Sequence, residues 1–340
     1  MPIPAGPYVP DGGGWDQNPL IPVPVDWQRT FVSITGSNGE GEEIPLTGFT
    51  NGAWPAIVLQ PGVSGLDMPP FDLHTDDSPN LDGSSFRGVR AAARQILLPV
   101  YVYGIDRKTL RSFKRRLANA LNPKNGFCLL TFIEQDGVAR RIKCYYANGM
   151  EGNEAVGAAG FTYVSYGIQL NAVDPWFYGD TEVVANWSFG QPHPFLGNPF
   201  LPLQLNSGTP ASGTLIVENP GDIEAWPVWT ITGPLKSFSF TGPAVPQPAG
   251  ATPKPPPSWG IPAQPGGADC LATGRTLTVD CRPGYKTITD DQGTNYFPLM
   301  SANPELWSVP PGISTVQANL VSGSGTPTVK MELLPRYATY

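Results

Sequence analysis

Residues 95–146 read QILLPVYVYGIDRKTLRSFKRRLANALNPKNGFCLLTFIEQDGVARRIKCYY and contain both β and α hydrophobic periods. Residues 95–103 and 127–133 are short apolar runs, typical of strands that are covered on both faces. Residues 138–146 alternate between apolar and polar side chains, and Gln135-Asp136-Gly137 just before them is a hairpin turn signal. The stretch therefore predicts a strand, a helix and then an antiparallel hairpin.

The helix is predicted for residues 106–122, DRKTLRSFKRRLANALN. Its apolar residues fall at helical spacing on one stripe: Leu110, Phe113, Leu117 and Leu121. Asp106 can cap the first turn, and Pro123 with Gly126 can end the last. Burying four such side chains stabilises by about 1.5–3 kcal/mol each, so we expect this helix to dock on the flanking strands.

The outer face of this helix is strongly basic, and no acid occurs between Asp106 and Glu134. Its cations are Arg107, Lys108, Arg111, Lys114, Arg115 and Arg116. A solvated helix face is one interpretation, and a contact with an acidic neighbouring subunit through Arg107, Arg111, Lys114 and Arg115 is another. Nucleic-acid binding is less favoured, because no aromatic or glycine-rich reading element accompanies the helix.

The rest of the chain is rich in short strands separated by glycine and proline. The second half favours a β-sandwich, with strands expected at 214–218, 228–232, 236–241, 276–281, 286–289, 313–320 and 328–334. We expect an N-terminal arm (1–24), a β domain with the helix (25–180) and a sandwich domain (181–340). Proline-rich residues 243–267 are interpreted as an extended surface loop of the sandwich.

The amino-acid composition argues against several classes of fold and function. Of 340 residues, 39 are glycine and 40 proline, which argues against a long helical bundle. The formal charge is −7, which argues against nucleic-acid binding through the electrostatic field of the whole protein, although a need for solubility alone also explains this charge. Only 14% of residues are charged, so part of the surface is expected to face protein. Four cysteines without a C-x-x-C pair suggest buried thiols in a reduced compartment.

The sequence contains no recognisable set of catalytic residues. The two histidines, His74 and His193, lie near no recognisable acid and nucleophile pattern. The acids at Asp76-Asp77 and Asp290-Asp291 lack the spacing of a calcium loop, and no zinc or phosphate-loop motif occurs. We therefore expect no enzyme activity, no cofactor and no metal site.

Tryptophans of the second half suggest a second function. An exposed indole ring can stack on a sugar, so a saccharide-binding module is the alternative function. Its candidate stacking residues are Trp226, Trp259 and Trp307, although tryptophans in sandwiches more often lie in the core.

Several phrases occur in a characteristic order along the chain. They are GLDMPP at 65–70, DGS at 82–84, RQILLPVYV at 94–102, LNP at 121–123, DPW at 174–176, NPGD at 219–222, WPVW at 226–229, ITGP at 231–234, LTVD at 277–280, LW at 306–307 and PPG at 310–312. In this order, over residues 25–340, the sequence resembles the distal tail protein family of long, flexible-tailed bacteriophages, in the form common among phages of actinobacteria.

This resemblance implies a structural virion protein at the tail tip, assembled in the host cytoplasm. With the resemblance, the alternative function becomes a saccharide-binding module of a phage tail tip that contacts the host surface. The implied fold is mainly β with one α-helix: an N-terminal split β-barrel or sandwich like that of tail-tube proteins, and a C-terminal galectin-like β-sandwich. The implied assembly is a homo-oligomeric ring, usually a hexamer. Its implied partners are the tail tube protein, the tail-tip hub or tail-associated lysin, and receptor-binding proteins, with viral DNA passing through the lumen, without sequence-specific binding, and no membrane.

Two segments depart from the family pattern, residues 1–24 and the proline-rich loop, and both are candidate arms that reach a neighbour. In a ring of six chains, each with formal charge −7, the field would repel DNA. We therefore expect acidic residues to line the lumen and the basic helix to face away from it.

Overall fold

A computed structural model describes residues 30–47, 56–77, 82–152, 162–188, 211–244, 254–322 and 326–340. The chain divides into two compact units between Gly179 and Asp180, and Ala338–Tyr340 belong to the first unit. The predicted fold class, mainly β with one helix, is confirmed for the described residues. The predicted arm, residues 1–24, lies outside them.

Unit 1 is built around one antiparallel, nearly closed sheet of strand order β2-β1-β7-β8-β9-β6-β3, with β10 pairing β8. Its strands are β1 (Phe31–Thr35), β2 (Glu43–Pro45), β3 (Ala56–Leu59), β6 (Arg94–Tyr103), β7 (Cys128–Ile133), β8 (Ala139–Asn148), β9 (Tyr163–Ala172) and β10 (Phe177–Tyr178). A separate two-stranded sheet contains β4 (Phe71–Asp77) and β5 (Ser84–Ala91), and the described helix is α1 (Arg107–Leu121).

The predicted hairpin is confirmed as β7 and β8, where Leu130 lies opposite Ile142 and Cys128 opposite Cys144. Gly137, at φ 84°, donates its N–H to the Glu134 carbonyl and closes the turn. Strand β6 is buried on one face and not on both as expected. The residues between the buried ones are exposed or half-buried. Alternation with a period of two is thus the dominant signal in this sheet.

An arginine lies in the core of unit 1. Arg94 is 1% exposed, and its guanidinium donates to the carbonyls of Leu66 (3.0 Å) and Ala338 (2.8 Å) and, more weakly, to Gly65 (3.3 Å). It also lies 4.9 Å from the centroid of the Phe177 ring. Burial lowers the pKa of Arg94 below its ordinary value, and the nearby Cys144 and Asp67 act in the opposite direction.

Gly65 allows the loop held by Arg94 to pass close to β6. Its φ is +85°, a conformation that favours glycine, and a Cβ added there would overlap the carbonyl oxygen of Gln95. The loop residue Ser64 forms a β-bridge with Leu97. Glycine is therefore structurally required at the first position of the motif GLDMPP.

Unit 2 contains two antiparallel sheets, of order β11-β19-β13-β16-β17 and β12-β18-β14-β15. The strands of the first are β11 (Glu182–Ser188), β13 (Val228–Thr232), β16 (Thr276–Asp280), β17 (Thr287–Asp290) and β19 (Thr328–Leu333). Those of the second are β12 (Ala211–Asn219), β14 (Ser237–Thr241), β15 (Ser258–Ile261) and β18 (Gly312–Val321), and β20 (Arg336–Tyr337) follows. Side chains from both sheets form one buried core, as in a β-sandwich.

The interpretation of residues 243–267 as a surface loop is wrong for part of that segment. Ser258–Ile261 form β15, which pairs with β14, and Trp259 and Ile261 are each 1% exposed. The prolines of this segment lie before the strand and, at Pro262 and Pro265, after it, so none interrupts it, and an edge strand tolerates them nearby. Residues 245–253 lie outside the described part of the chain.

All four cysteines are free thiols and buried. Burial raises the pKa of Cys128 and of Cys281 to about 12 and that of Cys270 to about 11, and the pKa of Cys144 is also raised. These thiols therefore remain protonated at neutral pH and act as small apolar side chains, as the sequence suggested.

Asp290, at the end of β17, organises a turn in unit 2. Its carboxylate accepts the N–H groups of Gln292 (3.0 Å) and Thr294 (2.7 Å) and pairs with Arg275. Burial raises its pKa, but the hydrogen bonds and the nearby Arg275 outweigh this and lower it to about 2. The ionised carboxylate therefore stabilises the fold above the pKa of an unfolded aspartate, about 4.

We expect the stabilisation by Asp290 to disappear as the pH falls from about 4 to about 2. Asp290→Asn should unfold at a lower temperature than the wild type at pH 7, and the two melting temperatures should converge by about pH 2. Thermal unfolding followed by circular dichroism measures both, with Asp269→Asn at an exposed acid as the control. A gap between the Asp290→Asn and wild-type melting temperatures that is independent of pH would refute the role of this carboxylate.

Candidate protein interface

The predicted basic helix is α1, and its ends are formed as the sequence indicates. Asp106 Oδ1 accepts the N–H of Thr109 at 2.6 Å, and this hydrogen bond lowers the pKa of Asp106. At the other end, Gly126 has φ 104° and follows a short 3₁₀ turn that begins at Pro123. Predicted and observed helix limits therefore agree to within one residue at each end.

The inner face of α1 lies in the core of unit 1. Leu110, Leu117 and Leu121 are buried, and Phe113 is half-buried with the Arg116 guanidinium 5.5 Å from its ring centroid. Burying the leucines fixes the rotation of the helix about its own axis. The charged side chains are thereby held on the opposite face.

Three of the four predicted interface cations are exposed, namely Arg107, Arg111 and Arg115, whereas Lys114 is half-buried. Lys108 is also exposed. Arg116 differs from the others because it pairs with Glu42 through two hydrogen bonds, Nη2 to Oε1 at 2.7 Å and Nε to Oε2 at 3.1 Å. The exposed cations form one continuous face, which we call the basic face: Arg107, Lys108, Arg111 and Arg115. Its role in an interface stays a prediction.

A shallow cleft of about 320 Å³ lies beside the C-terminal half of α1. It is lined by Glu42 and by residues of the turn before β2 on one side, and by Arg115, Arg116 and Asn119 on the other. The wall at Gly36 is tight, since a Cβ there would lie 2.5 Å from the backbone of Ala120. The cleft is open and basic on one side, consistent with a protein contact surface.

Sequence reasoning missed the β4–β5 hairpin, which is exposed along both strands. Large apolar side chains on it reach solvent: Phe71 is 40% exposed, Leu73 65%, Phe86 64% and Val89 52%. The alternating pattern of residues 71–76, FDLHTD, is a strand signal that could have identified it. His74, the histidine that the structure describes, lies on this hairpin, and His193 lies outside the described residues.

The prediction that Trp259 and Trp307 present rings to a saccharide is wrong. They are 1% and 4% exposed, and each packs edge-on against Trp229 with ring centroids 5.6 Å apart. Trp226 is half-buried, and Lys286 Nζ lies 5.9 Å from its ring centroid. Sequence shows that a residue is aromatic but not on which face of a strand it lies.

Within the described ranges, no group of three or more histidine, cysteine, aspartate or glutamate residues is placed to hold a metal ion. In the same part of the chain, no helix has both the length and the apolar character needed to cross a membrane. Among the described residues, the basic face of α1 and the apolar β4–β5 hairpin are exposed surfaces of distinct chemistry.

Comparison with known proteins identifies part of unit 1. Residues 57–160, which include the hairpin and α1, match the family model of the phage tail protein RIFT-related domain. This segment, which is less than half of the chain, is similar to a phage tail protein domain. No curated protein sequence matches the chain.

Solved structures extend the likeness beyond the phage tail domain. The crystal structure of the Dit protein (gp 19.1) of phage SPP1, described as a paradigm of the hub adsorption apparatus in phages that infect Gram-positive bacteria, matches with a TM-score of 0.58 at 12% identity. The match covers 90% of this chain and 98% of that chain. A chain of the phage P2 baseplate in its activated conformation with Ca matches with a TM-score of 0.48 at 10% identity, covering 92% and 100%. The expected resemblance to distal tail proteins is confirmed at the level of the fold.

Proposed function

We propose that this protein is a structural component of the distal end of a long, flexible phage tail, where it forms a homo-oligomeric ring. The observation that carries this proposal is the phage tail protein domain at residues 57–160 within a chain that has the Dit fold over 90% of its length. In this role the ring joins the tail tube to the tail-tip hub and to receptor-binding or cell-wall-degrading proteins. The protein acts by shape and self-association rather than by catalysis.

The described surface supports this role. A ring subunit needs a rigid scaffold and two complementary side surfaces, because closed symmetry repeats one pair of surfaces around the axis. The large antiparallel sheet of unit 1 supplies such a scaffold, and the exposed apolar hairpin supplies a surface of low polarity. In the proposed ring, acidic residues line the lumen and the basic face of α1 faces protein.

The saccharide-binding alternative is weakened by the burial of Trp259 and Trp307. Of its three candidate rings, Trp226 alone is half-buried rather than buried. A sugar-stacking platform needs an exposed ring face, so we retain the structural role alone.

Mass measurement tests the proposal directly. Multi-angle light scattering of the purified chain over a range of concentrations should give six times the mass of one chain, or three times for a trimeric ring. Negative-stain electron microscopy of the same sample should show closed rings with a central opening. A chain that stays monomeric up to the highest soluble concentration would refute self-assembly into a ring.

A further inference from the structure

The β4–β5 hairpin has one apolar face and one charged face. Leu73 lies opposite Val89, and Phe86 lies opposite Thr75 across the ladder. Side chains of opposed residues share a face, and so do residues two apart, so Phe71 and Leu73 join Val89 and Phe86 on one side. The Phe71 ring contacts Trp176 of the same chain, with centroids 6.5 Å apart, but Leu73, Phe86 and Val89 remain more than half exposed. Because a two-stranded hairpin is at best marginally stable in water, these side chains favour a covering partner.

On the charged face, the two arginines pair with aspartates of the same hairpin. Arg90 Nη2 lies 2.8 Å from Asp72 Oδ2, and Arg87 Nε lies 2.5 Å from Asp76 Oδ2. Two further acids, Asp77 and Asp82, lie at the end where the two strands are connected, and both are exposed. Within the described part of the chain they form no salt bridge. The hairpin surface available to a partner is thus an apolar face with an acidic end.

The basic face of α1 offers the complementary chemistry. Lys108, Arg111 and Arg115 occupy positions i, i+3 and i+7, which lie on one side of a helix, and α1 itself contains no acid. Among the residues that the structure describes, these three form no salt bridge. Ile105, just before the helix, is 68% exposed. The long stems of arginine and lysine can cover apolar side chains while their charged ends reach carboxylates.

We propose that the β4–β5 hairpin of one chain packs against α1 of a second copy of this chain. Phe71, Leu73, Phe86 and Val89 then pack on Ile105 and on the stems of the basic face, and Asp77 and Asp82 pair with its cations. The proposal rests on the proposed ring, because it names the surfaces that hold two neighbouring copies together.

This contact joins two different surfaces, so each chain donates one hairpin and receives another. Such a head-to-tail contact closes into a ring when its rotation allows closure, and otherwise makes an open filament. The proposed contact also explains why unit 1 carries two surfaces of opposite charge. Residues 71–91 contain four aspartates and two arginines, whereas α1 contains six cations.

Charge reversal tests the pairing. Asp77→Lys with Asp82→Lys should weaken the association between copies by about 100-fold, and Arg111→Glu with Arg115→Glu should do the same. All four residues are exposed, so the fold should be retained, which circular dichroism checks. Glu151→Lys with Asp269→Lys is the matched control, since it reverses two exposed acids that belong neither to the hairpin nor to the cleft beside α1 and should leave association unchanged.

Mixing the two defective double variants makes the test specific. In an alternating ring, each reversed hairpin meets a reversed helix and each native hairpin meets a native helix. The mixture should therefore recover oligomers by light scattering, and the fourfold variant should recover them alone. Recovery in neither sample would overturn the proposed pairing.

The apolar face is tested separately with Leu73→Ser and Phe86→Ser in one chain, which should also reduce association by about 100-fold or more. Unchanged association of this variant and of both charge-reversal variants, with a wild type that still forms rings, would overturn the hairpin contact and leave the proposed ring intact. A wild type that stays monomeric would overturn both.

Discussion

Trp229→Ala should unfold or severely destabilise unit 2, with a loss of about 3–5 kcal/mol in its free energy of unfolding. Trp229 is 0% exposed and lies at the centre of the aromatic core. Its ring centroid lies 4.5 Å from Phe240 and 5.6 Å from both Trp259 and Trp307. Truncation removes one of the largest buried side chains of the sandwich and leaves a cavity between its two sheets. Aromatic pairs add about 0.5–1.5 kcal/mol beyond burial.

Urea unfolding followed by near-ultraviolet circular dichroism measures this loss, because the packed tryptophans dominate that signal. Trp226→Ala is the matched control. It also removes an indole ring, but a half-buried one, and we expect it to lower the free energy of unfolding by about 1 kcal/mol or less. Trp229→Phe should lie between the two, since it keeps part of the ring contact. Equal losses for Trp229→Ala and Trp226→Ala would show that the central position of Trp229 does not determine the stability.

The elements predicted correctly have a strong local period. Residues 139–148 form β8, where Ile142 and Cys144 are buried as the alternation of residues 138–146 indicated. The leucine stripe and both ends of α1 were equally clear. In these segments local pattern and tertiary burial agree, which is why sequence alone sufficed.

The elements that were missed lack such agreement. Strand β15 follows a run of prolines, and proline content outweighed the apolar residues Trp259 and Ile261 that pair it with β14. Strand β5 contains Gly88, and the β4–β5 ladder shifts register between His74 and Thr75, which breaks the alternation. A short strand of this kind is identified by the strand with which it pairs. The local sequence does not show that pairing.

The candidate interface was predictable in part. The charge run identified the basic face of α1, because six cations without an acid stand out in a chain where 14% of residues are charged. The apolar face of the hairpin could not be assigned, since it exists only when Leu73 and Val89 are placed opposite each other. The saccharide prediction failed for the same reason, because burial of Trp259 depends on a pairing that sequence does not show.

Replacing Arg94 by methionine should destabilise unit 1 by about 3 kcal/mol, although methionine is apolar and of similar length. Arg94 donates to the Leu66 and Ala338 carbonyls, so the substitution removes these charge-assisted hydrogen bonds from a buried site. The loop at Gly65 and the chain end at Ala338 would lose the group that holds them together. The ring of Tyr340, which lies 4.6 Å from Phe132, should loosen with it.

Methionine separates the two roles of this arginine, because it keeps most of the packing and removes the donors. If packing over Phe177 were the main contribution, Arg94→Met would unfold at the same urea concentration as the wild type. Arg90→Ala is the control, since Arg90 is 72% exposed and its loss should change stability by no more than about 0.5 kcal/mol. Arg94→Lys should recover only part of the loss, because one ammonium group cannot reproduce the fork with which the guanidinium reaches carbonyls on two separate segments. Full recovery by lysine would instead mean that a buried positive charge, rather than the geometry of the guanidinium, holds the segments in place.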